Sequence, residues 1–261
     1  MRIKQAALGL ALSIWALHTF SCAHEKATQS TRGSTVRLDV YLLIGQSNMA
    51  GRAPYTERES LPMERCFLLD DNGQWEPASN PLNRYSTIRK DISKQKMNPG
   101  YSFALEMLDI DKDINLGLVV NAKGGSEIEE WAEGTMFYQE ALRRVSQAQK
   151  TGTLRGILWH QGEANVEDPD KYIDKLTELV TRFRKDLDMP ELPFVAGQID
   201  GVAAINEQTA MLPERLPFTG FVSSEGLTIF EEWHFDAGSV KLMGKRYAAE
   251  MLKIQSQHKA D

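Results

Sequence analysis

Short apolar runs, each closed by glycine or a polar cluster, recur along the chain at 38–44, 116–120, 156–159, 194–198 and 221–223. Between them the apolar period becomes helical. Over 170–187, Tyr172, Ile173, Leu176, Leu179, Val180, Phe183 and Leu187 fall on one face of a helix. Shorter stretches of the same kind occupy 101–108 and 136–148, and a further one at 239–254 closes the chain. Buried strands alternating with amphipathic helices predict an α/β domain over 36–256, a central parallel sheet with helices on both faces. The segment 52–100 breaks the alternation. Within it, Cys66-Phe67-Leu68-Leu69 and Gln74-Trp75-Glu76 flank Asp71-Asn72-Gly73, a pattern that predicts a hairpin. That hairpin is expected to leave the sheet and help wall a substrate site. Residues 84–96, with Arg84, Arg89, Lys90, Lys94 and Lys96, read as a solvated basic loop.

The first residues follow another rule. Arg2 and Lys4 precede an apolar stretch from Ala6 to Phe20, too short for a comfortable bilayer span, and Ser21-Cys22 follows. Residues 1–21 therefore read as an export signal, of lipoprotein type if Cys22 becomes lipidated, and 22–35 as a polar, Ser/Thr-rich tether. The protein is expected to be exported, either to the periplasm or as an outer-membrane or cell-surface lipoprotein, or else secreted. The full chain carries a formal net charge of −6, and cleavage would remove two cations and no acid. An acidic exported chain argues against nucleic acid and anionic lipid as partners. Cys22 and Cys66 are its two cysteines, so no disulfide framework is expected and the fold must stand on its core.

The run 40–44 ends at Gly45, and Gln46-Ser47-Asn48-Met49 follows. In an open α/β sheet, ligands bind just beyond the carboxyl ends of the strands, which is where Ser47 would stand. A hydrolytic serine needs a base, and the base needs an orienting group. Of five histidines only His160 and His234 fall inside the expected domain. His234 has Glu231 three residues earlier, a carboxylate within reach of the far imidazole nitrogen, with Glu232 as the alternative acid. The competing reading of this stretch is an acidic turn in which Asp236 caps the last helix. Oxyanion donors are offered by Gly124 and Gly125 after the strand at 116–120, and by the Gln161 amide after the strand at 156–159. His160 and Glu163 are three apart, but position 164 is alanine and there is no cysteine pair, so neither a metal nor another cofactor is expected. Trp131, Trp159 and Trp233 adjoin these motifs, and core packing is favoured for them over sugar stacking.

Taken together, Gly45–Met49, Lys123-Gly124-Gly125-Ser126 with Trp131, Trp159-His160-Gln161-Gly162-Glu163, and the histidine before Phe235-Asp236 resemble the SGNH hydrolase superfamily. Within it they resemble the sialic-acid-specific acetylesterases and carbohydrate esterase family six, which includes acetylxylan esterases. The resemblance implies a flavodoxin-like three-layer α/β/α sandwich and metal-independent deacetylation of O-acetylated glycans. Carried onto this chain, Ser47 matches the nucleophile, whose N–H also serves the oxyanion, His234 the base, Gly124 or Gly125 the oxyanion glycine and Gln161 the polar oxyanion position. Gln46, Asn48, His160 and Glu163 are expected to support the site, Glu163 through hydrogen bonds. The family usually carries aspartate where this chain has Glu231. Acetylxylan or a related polysaccharide is the leading substrate and O-acetyl sialate the alternative. The rival from another class is a catalytically silent, glycan-binding surface lipoprotein.

Overall fold

The structure is a computed structural model that describes residues 38–257, so the expected signal, the tether and Cys22 lie outside the described residues. Strand β1 (Leu38–Gly45) is its axis: every residue from Val40 to Gly45 is buried. Aliphatic and aromatic residues without alternation suit a strand covered on both faces. β1 pairs in parallel with β4 (Asn115–Val120) on one side and β5 (Gly152–His160) on the other. Beyond β5 lie β6 (Phe194–Gly197) and β7 (Thr219–Val222), also parallel. The order β4-β1-β5-β6-β7 is that of a flavodoxin-like sheet, whose switch point lies beside the first strand.

The hairpin expected in 52–100 is present as β2 (Cys66–Leu69) and β3 (Trp75–Pro77), antiparallel to each other. It does not leave the sheet. β2 pairs in parallel with β4, giving a seven-stranded sheet of order β3-β2-β4-β1-β5-β6-β7. Cys66, Leu68 and Leu69 are buried there, and an apolar strand gains more by extending a covered sheet than by walling a solvated site.

Helices cover both faces. One core joins Tyr41 and Leu43 of β1 to α2 (Gly100–Ile110) and α7 (Ala237–Gln257) through Phe103, Met243, Tyr247 and Met251. The other joins Val40, Leu42 and Ile44 to α3 (Met136–Ala148) and α4 (Tyr172–Asp186) through Tyr138, Val145, Leu176 and Phe183. Residues 203–217 form α5 (Ala203–Ala210) and α6 (Leu212–Arg215). In α5 only Ile205 and Thr209 are buried, too thin an apolar stripe to announce a helix. A four-residue helix α1 (Ser47–Ala50) follows β1, and a two-stranded ribbon, β8 (Ile229–Glu231) with β9 (His234–Phe235), precedes α7. Asp236 caps α7 as the competing reading of that stretch had it, its carboxylate accepting from Ser239 N at 2.8 Å.

The end of β1 packs closely against β5. Gly45 adopts φ 131°, and a Cβ placed there would lie 2.1 Å from the His160 carbonyl oxygen of β5. Gly45→Ala is expected to cost roughly 1–3 kcal/mol for the backbone conformation alone, before the clash is counted. Urea denaturation measures this; an unchanged midpoint would contradict the assignment.

Candidate active site

Three neighbouring strands end on one edge and each delivers one part of the site. β1 delivers Gln46, Ser47 and Asn48; β4 delivers Gly124 and Gly125; β5 delivers His160 to Glu163. Gln46 is pinned by its own N–H, which donates to the His160 carbonyl at 2.8 Å. Its Oε1 accepts from Gly162 N and Ala164 N, each at 3.3 Å. Ser47 opens α1, where a first-turn N–H has no intrahelical partner. Among the described residues the N–H groups of Ser47, Gly124 and Gly125 find no protein acceptor. A point one Cβ bond from Gly124 lies 3.8 Å from Ser47 Cβ, so the glycine backbone stands directly across from the serine.

Asn48 ties this edge to the ribbon that carries His234. Its Nδ2 donates to Glu163 Oε1 at 2.8 Å and to the Trp233 carbonyl at 2.9 Å, and its Oδ1 accepts from Phe235 N at 3.2 Å. The residues on both sides of His234 are thus held by one buried amide. Glu163 is itself buried, and burial pushes its carboxyl up to about 7. Its Oε2 has no partner.

Glu231 lies across the ribbon from His234, Oε2 to Nδ1 at 3.9 Å, an ion-pair distance and too long for a hydrogen bond. His234 Nδ1 has no hydrogen-bond partner. Glu232, the alternative acid, is exposed at the ribbon's turn with φ 41°. Burial lowers the His234 pKa most, the Arg52 cation lowers it further, and Glu231 and Glu232 pull the other way. The net direction is downward, so the imidazole is the neutral, proton-accepting form at neutral pH.

Two expected members of the site are placed differently. Gln161 is fully buried, and both its amide protons are committed, to Ser126 O at 3.1 Å and Asn165 Oδ1 at 2.6 Å. No Gln161 donor is left for an oxyanion; the amide braces the loops after β4 and β5 against each other. His160 is also buried, and Tyr247 Oη lies 3.1 Å from its Nδ1 while that hydroxyl donates to the Trp159 carbonyl at 2.6 Å. The single tyrosyl proton is spent, so Nδ1 donates to it. Burial drives the His160 pKa down to about 4 and keeps the ring neutral. Among the described residues no group of three or more His, Cys, Asp and Glu could hold a metal. Trp131 and Trp159 pack edge to face in the core, whereas Trp233 is 39% exposed.

Arg52 was not singled out by its pattern, although it stands five residues after Ser47 and directly follows Gly51. Its Nη1 donates to the Gly51 carbonyl at 2.7 Å and the Lys94 carbonyl at 3.2 Å. Its Nη2 faces Gly124, 2.4 Å from where that residue's Cβ would be.

Residues 37–253 match the family model described as carbohydrate esterase, sialic acid-specific acetylesterase. The chain belongs to this carbohydrate esterase family. Its SGNH-type α/β fold is that of the solved relatives. A probable carbohydrate esterase of Arabidopsis thaliana is 31% identical over 180 residues, which span 60% of this chain and 66% of that protein. A crystal structure of an Arabidopsis thaliana protein superposes with a TM-score of 0.75 at 25% identity, covering 83% of this chain and 98% of the other. A carbohydrate acetylesterase from Xanthomonas citri shares the fold with a TM-score of 0.62 at 20% identity, over 83% of this chain and 56% of that one.

The charges around His234 set its titration. Followed by NMR, its midpoint is expected below the ordinary 6.5. Removing the carboxylate in Glu231→Gln should lower it further, and removing the cation in Arg52→Met should raise it. Shifts in the opposite directions would mean that the ribbon does not hold His234 between these two charges.

Proposed function

We propose that this member of the family is a serine carbohydrate O-acetylesterase that removes acetyl groups from O-acetylated glycans through an acetyl-enzyme. The observation that carries the reading is the convergence of Ser47, the unpartnered N–H groups of Ser47, Gly124 and Gly125, and the His234 ribbon clamped by Asn48. His234 takes the Ser47 hydroxyl proton as Oγ attacks the acetyl carbonyl. Negative charge collects on the former carbonyl oxygen, which the backbone donors beside Ser47 stabilise without reorganising. The tetrahedral species expels the sugar oxygen, and His234 gives that oxygen its proton. Water then attacks the acetyl-Ser47 carbonyl with His234 again as base, releasing acetate and restoring the serine. Glu231 stabilises the imidazolium by charge across the 3.9 Å gap.

Acetylxylan or a related polysaccharide and O-acetyl sialate are the two substrates this reading entertains, and Trp233 beside His234 offers either sugar a half-exposed aromatic face. Export, with Cys22 as the site of a lipid anchor, belongs to the same reading and rests on residues 1–22.

Ser47→Ala should abolish acetate release from acetylxylan, O-acetyl sialate and p-nitrophenyl acetate while leaving the circular dichroism spectrum and the melting temperature unchanged. Activity within tenfold of the parent would rule out the serine mechanism, and a parent inactive on all three would favour a silent glycan-binding protein. The acid is tested separately. Glu231→Gln should lower kcat, by less than the about 10⁴-fold that losing a hydrogen-bonded triad carboxylate costs, because Glu231 acts by charge across a gap. Glu232→Gln should change it less than about threefold, since exposed charges away from the reacting atoms contribute little. The reverse ranking would move the acid to Glu232.

A further inference from the structure

Arg52 holds a cation against Gly124, the residue across from the nucleophile, and no carboxylate of the described residues pairs with it within 4 Å. The guanidinium is half-buried, and it takes part in none of the ion pairs within 4 Å that the described residues form. Its only acceptors are the two carbonyls on Nη1, which fix the plane of the fork. Nη2 is left facing Gly124, whose absent Cβ is the space between that nitrogen and Ser47 Cβ. A side chain at position 124 would fill it. Lys90, exposed, stands at the next glycine: its Nζ lies 3.5 Å from the Cβ position of Gly125, and among the described residues it forms no ion pair within 4 Å. Lys94 and Lys96, exposed on the same loop, add to the positive rim of a chain whose formal net charge is −6.

A charge withdrawn from water without a partner is costly, so such a cation is kept where something arrives to pair with it. Glu231 is the acid that interacts with Arg52 electrostatically, but no Arg52–Glu231 contact falls within 4 Å. A locked guanidinium whose Nη2 is unspent is suited to a carboxylate, which accepts from that nitrogen and pairs with the charge. A neutral sugar hydroxyl would accept from it and leave the charge unmet.

We propose that Arg52, with Lys90 at the neighbouring glycine, is the carboxylate subsite of this enzyme, so that the preferred substrate is an O-acetylated sugar acid with its carboxylate within one residue of the scissile ester. This deepens the acetylesterase reading and rests on it. A uronate in a polysaccharide and a nine-carbon sialate both supply the required group, and the test separates them.

Two matched pairs are compared by kcat/KM. One is an O-acetylated methyl glucuronoside against its neutral methyl ester; the other is O-acetyl N-acetylneuraminate against its methyl ester. In at least one pair the free acid should be preferred by about 10–10²-fold, the range expected for hydrogen bonds to a charged group. The pair that shows the preference identifies the source of the carboxylate. Arg52→Met should bring that preference within about threefold of unity, and Arg52→Lys, which keeps the charge but not the fork, should retain part of it. Lys90→Met should reduce it by a smaller factor. The proposal is overturned if neither pair favours the acid. It is equally overturned if Arg52→Met lowers acid, ester and p-nitrophenyl acetate in the same proportion, which would make Arg52 part of the oxyanion machinery. Binding of glucuronate and N-acetylneuraminate to Ser47→Ala protein, with and without Arg52→Met, reads the same subsite without hydrolysis. If the parent hydrolyses none of the esters, it is the acetylesterase reading that fails. Arg52-dependent binding of an acid then still upholds the subsite, and its absence overturns it.

Discussion

One buried side-chain amide, that of Asn48, holds the site together. Its two protons and its oxygen reach Glu163 after β5 and the backbone on either side of His234. None of the three contacts is local: the partners stand 115, 185 and 187 residues away in sequence. An amide that satisfied only one of them would leave buried backbone groups unpaired, at a cost of about 1–3 kcal/mol each. The network therefore behaves as a unit. It sets where the ribbon lies against α1, and through the ribbon where His234 stands relative to Ser47.

That arrangement also explains why the ribbon can be short. β8 and β9 are three and two residues long, and Ile229, Phe230 and Trp233 are exposed. Of its five residues only Phe235 is buried, in the core it shares with α7. Asn48 anchors it at one end, and Asp236, capping α7, anchors it at the other. An element bearing the base, held by Asn48, Asp236 and one core side chain, leaves its outer face free for a glycan.

The electrostatics of the site are set by opposition. Arg52 disfavours a charged His234, whereas Glu231 and Glu232 favour it, and burial tips the balance toward the neutral ring. An acetyl transfer needs a base that is neutral before attack and tolerated as a cation after it. A carboxylate nearby but not hydrogen-bonded suits the second requirement without forfeiting the first. Family membership, over residues 37–253, places the chain among carbohydrate esterases.

Strand positions, helix 136–148 and the α/β class were legible in the sequence because burial on two faces leaves unbroken apolar runs and burial on one face leaves a 3.6-residue period. Ser47, Gly124, Gly125 and His234 were legible too, since each sits in a polar cluster that interrupts such a run or adjoins a helix. The joining of β2 to β4 was not, because strand pairing is a property of distant backbones and a hairpin's pattern is the same on or off a sheet. Nor were the roles of Gln161 and Arg52. A glutamine at the end of a strand can aim its amide at substrate or at the next loop, and only the positions of Ser126 and Asn165 commit both protons to the protein. An arginine in a loop is usually solvated; that this one lies against Gly124 with no counter-ion within 4 Å follows from packing that brings residues 52 and 124 together. Residue type and spacing determined which groups were available for chemistry. The tertiary structure decided which donors remained unspent, because a hydrogen bond or an ion pair is a matter of a few ångströms between residues that the chain itself places far apart.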